Sequence, residues 1–130
     1  MEYKTLFMKI EVSIGEFIDR LTILEIKLQK ITDQQKLKNI RNEYEILSKS
    51  GEKMPDKSDP LYQKLREVNE KLWEIEDRIR DYEKKQDFGR GFIETARMVY
   101  FTNDLRAKIK RDINLNTRSE IIEEKSYEDY

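Results

Sequence analysis

Any chemistry in this chain falls to carboxylates, amides, hydroxyls, cationic side chains and one indole, because the sequence holds no cysteine and no histidine. That excludes disulfides, thiol nucleophiles, zinc fingers and every triad that needs an imidazole. The densest run of chemically useful groups is Asn69, Trp73, Glu76 and Arg80, with Asp77 beside Glu76. Steps of three and four residues put them on one stripe of a helix. The stripe holds the only tryptophan of the chain, flanked by an amide, a carboxylate and a guanidinium.

Two other segments offer partners. One contains Glu16, Asp19, Arg20 and Glu25; the other contains Glu94, Asn103, Asp104, Arg106 and Lys110. Carboxylates on facing helices bind Mg²⁺ or Mn²⁺ through oxygen, and such a cation binds phosphate and activates water. On that reading Glu76 and Asp77 are the metal ligands. The plainer reading is a buried Glu–Arg–Asn network that sets helix register. Asn103 and Arg106 fall on or beside apolar positions, so each must be paired or functional, since unpaired burial costs about 1–3 kcal/mol. The cluster Arg106, Lys108, Lys110 and Arg111 suits a helix C-terminus. No aromatic residues interleave it, which disfavours nucleic acid.

The elements that must position these groups read as helices. Ser13 and Glu16 form a capping box, and Ile14, Phe17, Leu21, Leu24, Leu28 and Ile31 follow on one face. Gly15, in the first turn, allows another segment to pack closely. Thr32 and Gln35 predict a second cap, before Leu37, Ile40, Tyr44 and Leu47; a loop with Met54 and Pro55 comes next. Asp59 and Pro60 open a third helix. Its seam is an unbroken heptad: Leu61, Leu65, Val68, Leu72, Ile75, Ile79 and Tyr82. A fourth helix is expected from about Asp87 to Asn114, apolar on two faces. One face carries Phe92, Ala96, Val99, Tyr100 and Asn103; the other carries Met98, Phe101, Leu105 and Ile109. The second face predicts a homodimer. The alternation of Leu6, Met8, Ile10 and Val12 predicts an extended arm, residues 1–12, that pairs with Ser119–Tyr127 or covers helix 4. Residues 115–130 read as a solvated acidic tail.

The fold class is therefore all-α, a four-helix bundle with extended terminal segments, one helical domain over 1–130. Charged residues make up 41% and hydrophobic ones 37%. No run of about 18 apolar residues exists to span a membrane. The 26 basic and 27 acidic residues nearly cancel, so nucleic acid is not an expected partner. No signal-peptide pattern opens the chain, which places it in the cytoplasm by expectation.

Three stretches, SIGEFIDRLTILEIKL (Ser13–Leu28), NEKLWEIEDRIR (Asn69–Arg80) and DFGRGFIETARMVYFTNDLRAKIK (Asp87–Lys110), with the closing Glu123–Tyr127, carry a likeness. Together they resemble a family of small uncharacterised bacterial proteins, also found in phages and often encoded near surface-polysaccharide and glycosyltransferase genes. The resemblance implies no assigned activity. It emphasises Asp19, Asn69, Trp73, Glu76, Asp77, Arg97, Asn103 and Asp104. The expected function is a non-enzymatic accessory or interaction protein, with a protein partner and no cofactor, linked through the resemblance to cell-surface polysaccharide biosynthesis. The alternative is a Mg²⁺- or Mn²⁺-dependent hydrolase of a nucleotide or sugar phosphate, working through the bundle carboxylates.

Overall fold

The structure, a computed structural model, describes residues 6–51 and 55–130. The first five residues of the expected arm, and Met54 of the expected loop, lie outside the described residues. Four helices follow one another: α1 (Ile14–Lys30), α2 (Gln34–Ser48), α3 (Pro60–Lys84) and α4 (Arg90–Asn116). Helices α1, α3 and α4 pack on one another, while α2 packs on α1 alone. The all-α, four-helix reading holds, and α2 is its outlying member.

The core follows from the α3 seam. Leu65, Val68 and Ile75 are buried, with Leu61, Leu72, Ile79 and Tyr82 half-buried along the same line. Together with Tyr62, the first two meet Ile18 of α1 and Ile109 and Ile113 of α4 in one cluster. Burying one such aliphatic side chain is worth about 1.5–3 kcal/mol.

Helix boundaries moved where a stronger cap competed. α2 is capped by Asp33, whose carboxylate accepts from Lys36 N at 2.9 Å. The expected Thr32–Gln35 box loses because a charged carboxylate is the better acceptor at a helix N-terminus. α4 begins at Arg90 after Gly89, not at Asp87. Asp87 instead accepts from Gly89 N at 3.1 Å and shapes the turn. Ser13 does cap α1, accepting from Glu16 N at 3.1 Å. Glu16 faces Lys110, whose ammonium it accepts from at 2.6 Å.

The buried line of α4 is neither of the two apolar faces expected of it; it runs through Thr95, Thr102, Ile109 and Ile113. Thr95 satisfies its hydroxyl by donating to Gly91 O at 2.7 Å, so a threonine reads as polar yet buries. Ile109 therefore belongs to the core and not to a dimer face. Met98 is half-buried, and Phe101 and Leu105 both stay exposed, the Phe101 ring with an edge contact to Tyr130. Among the described residues there is no strand. Leu6, Met8 and Ile10 are 90%, 87% and 69% exposed, so the described part of the arm neither pairs with the C-terminal segment nor covers α4.

The acidic tail is not free in solvent; it returns along α4 as a strap. Buried Ser119 accepts from Ile14 N at 3.1 Å and donates to Ile121 O at 2.8 Å. Glu123 accepts from Ser13 Oγ at 2.6 Å. Residues 120–130 are exposed, as their acidity suggested, yet Arg111 and Asp104 of α4 supply partners that hold the segment along the helix.

Gly15 sets how closely α1 and α4 approach. A Cβ there would stand 2.5 Å from the Lys110 carbonyl oxygen and 2.9 Å from Asn114 Oδ1. Asn114 Oδ1 also accepts from Gly15 N at 2.6 Å. Backbone cannot swing aside as a side chain does, so Gly15→Ala should destabilise by about 1–3 kcal/mol. Urea denaturation measures it; an unchanged midpoint would mean the helices do not cross here.

Candidate functional site

The buried heart of the molecule is polar. Asp19, on α1, is 1% exposed. Its Oδ1 accepts from Asn69 Nδ2 of α3 at 2.8 Å and from Arg106 Nε of α4 at 2.9 Å. Its Oδ2 accepts from Arg106 Nη2. Asn69 Nδ2 also donates to Thr22 Oγ1 at 2.9 Å, and that hydroxyl donates to Asp19 O at 2.8 Å. The three packed helices are joined through one carboxylate. Hydrogen bonding to Asp19 raises the Arg106 pKa above its ordinary value.

A second knot lies further along α1. Glu25 accepts from Tyr62 Oη at 2.6 Å, Arg66 Nη1 at 2.9 Å and Tyr44 Oη at 3.3 Å. Lys57 donates to Tyr44 Oη at 2.7 Å and lies 3.5 Å from Glu25. Burial, reinforced by the bond to Glu25, pushes the Tyr62 phenol well above its usual range. This knot ties α2 and the segment after it to α1 and α3. Among the described residues every buried side-chain nitrogen and oxygen has a hydrogen-bond partner.

The Asp19 network is also the back wall of an open groove of about 470 Å³. Asn69 and Arg106 reach from the network to the groove. Trp73, Glu76, Asp77 and Asn103 complete its polar lining, with Ile23, Leu72 and Arg80. Trp73 and Asn103 are half-buried, whereas Glu76 and Asp77 are exposed. Six of the eight emphasised residues thus come together: five line the groove, and Asp19 stands behind it. The other two do not join them. Arg97 is exposed, its guanidinium 5.7 Å from the centre of the Phe101 ring. Asp104 faces the strap, where it accepts from Lys125 Nζ at 2.8 Å and from the Tyr130 hydroxyl.

The pair proposed as metal ligands lies on the groove, with Glu76 Oε2 3.4 Å from Arg80 Nε. Among the described residues no three carboxylates gather to share a cation. A hard cation takes about six oxygens; Glu76 and Asp77 could supply only part of that shell, and waters or a bound phosphate would have to supply the rest. Sequence reasoning missed Thr22, Tyr62 and Tyr44. The signal was there in the spacing of Gly15, Asp19, Thr22 and Glu25, which marks a polar stripe on α1.

Two predictions follow from these contacts. Asp19→Asn leaves the Arg106 charge without its counterion and should cost about 3 kcal/mol. Arg106→Gln added to that variant should cost little more, since the pair acts as a unit. Additive losses in urea denaturation would contradict the coupling. The second concerns the strap. Hydrogen bonds from Lys125 and then Tyr130 hold the Asp104 carboxyl below its ordinary 3.8. Its contribution is therefore present above that value and lost as pH falls through the lowered one. The bond to Asp104 pushes the Tyr130 phenol up to about 12 from 10.0, so its contribution is full below 10.0 and fades as pH rises through about 12. At neutral pH, Asp104→Asn should speed tryptic cleavage after Lys125 of the strap. An unchanged rate would show that Asp104 does not hold the strap.

Comparison with known proteins identifies the lineage without an activity. Residues 8–130 match the family model described as a family of unknown function, DUF6165, and the chain belongs to that family. No curated protein and no solved structure matches it. Among the described residues no helix is long and apolar enough to cross a membrane.

Proposed function

We propose that this DUF6165 member is a non-catalytic binding protein serving the assembly of cell-surface saccharides, with the Trp73 groove as its sugar site. One observation carries the reading. Side chains of α3 and α4 that are far apart in sequence meet around a half-buried indole, in front of a rigid polar wall. An indole offers a flat apolar face to the C–H face of a pyranose ring, and its N–H remains a donor. Amides, carboxylates and guanidinium groups supply the donors and acceptors that vicinal hydroxyls require. A volume of about 470 Å³ suits a monosaccharide unit. Asn69 and Arg106 are already held by Asp19, so binding would not have to order them.

A binding role also suits the openness of the site. Glu76 and Asp77 are both solvent-exposed on the groove rim.

Because Trp73 is the only tryptophan, its emission reports on the groove alone. Titration with a panel of neutral hexoses and N-acetylhexosamines should give a saturable change, with Kd on the order of millimolar, or about −4 kcal/mol. Asn103→Ala should weaken it several-fold while circular dichroism stays native. A flat emission response across the panel would remove the sugar reading.

A further inference from the structure

Beyond Asn103 and Arg106 lies a second open cavity of about 1290 Å³, between α4 and the strap. Those two residues line both cavities, so a ligand at Trp73 has the strap cavity as its neighbour. Its α4 wall carries Ala107, one of only two alanines in the chain, and the cations Arg106, Lys108, Lys110 and Arg111, opposite the acidic strap. From Asn103 to Arg111 the helix advances about 12 Å, a span that a substituted monosaccharide and the long Arg111 side chain cover together.

The cations are not equally committed. Arg106 is paired with buried Asp19, and Lys110 with Glu16 at 2.6 Å. Arg111 is paired with Glu124 of the strap, and both are exposed. Exposed pairs of this kind are weak and exchangeable. Glu123 reaches Lys110 only at 3.8 Å. The strap thus sets a carboxylate on Arg111, one of the two cations of this wall, with Lys108, that the helical core does not neutralise. Release of Glu124 would leave Arg111 beside Lys108, three residues away on the same wall, exposed and without an ion pair among the described residues; two neighbouring cations fit one compact anionic group such as a phosphate or carboxylate.

We propose that the strap cavity is the anion chamber of the groove, so that the site takes a sugar bearing a phosphate or carboxylate substituent. The ring lies at Trp73, and the anion replaces Glu124 on Arg111. This rests on the sugar reading of the groove and adds the charge of the ligand to it.

Isothermal titration of the full chain at low ionic strength tests it. The probes are glucose, galactose and N-acetylglucosamine, their 1-phosphates, glucuronate and inorganic phosphate. At least one anionic sugar should bind ten-fold or more tighter than its neutral parent, and which one does so distinguishes phosphate from carboxylate. Arg111→Ala and the space-filling Ala107→Leu should erase that gain while neutral-sugar affinity persists. Glu124→Gln should enlarge it. Neutral sugars binding as tightly as every anionic one would overturn the chamber and leave the sugar site standing. A gain that survives Arg111→Ala would also overturn it, as would phosphate alone matching the sugar phosphate. Silence from every sugar, with folding confirmed by circular dichroism, would overturn both readings.

Discussion

A single buried carboxylate organises this molecule. Asp19 accepts from an amide on α3 and a guanidinium on α4, while its own helix carries it into the middle of the bundle. An ionised group at 1% exposure is tolerable only when its lone pairs are satisfied. That requirement sets the register of three helices at once. It also explains the close crossing at Gly15, since Lys110 and Asn114, one and two turns beyond Arg106 on α4, must lie against the start of α1.

The groove is a consequence of the same constraint. Asn69 and Arg106 satisfy Asp19 from behind and line the open side, so the network that stabilises the fold also positions the wall of the groove. Two readings of the polar stripe, as scaffold or as site, were opposed on sequence grounds. In the structure one end of the stripe is buried scaffold and the other lines the groove. Asn69 is buried in the network, and Trp73, Glu76 and Asp77, further along α3, reach the surface. The strap extends this arrangement, because Asn103 and Arg106 also border the space beneath it.

Much of this was legible in the residues. The α3 heptad announced the core, and Asn69, Trp73 and Glu76 announced the groove, because helical spacing alone puts them on one side. The rest was hidden for physical reasons. Thr95 and Thr102 read as polar positions, yet they lie on the buried line of α4, where Thr95 bonds back to its own backbone. The α1 face was assigned to Leu21 and Leu28, which are half-buried, because hydrophobicity overshadowed the stripe of Gly15, Asp19, Thr22 and Glu25. The strap depends on pairs between residues 13 to 110 positions apart, which no local pattern encodes. Arg97 and Asp104 stand apart from the groove because their positions on α4 face the aromatic patch and the strap.

The most direct measurement is nuclear magnetic resonance of the ¹⁵N-labelled chain during titration with a hexose or its 1-phosphate. The indole N–H of Trp73 and the side-chain amides of Asn69 and Asn103 report the groove from three positions. The account predicts that these three signals shift together and saturate at one concentration, while the amides of α2 stay still. Shifts confined to other surfaces, or three groove signals that do not move while ligand binds elsewhere, would contradict it.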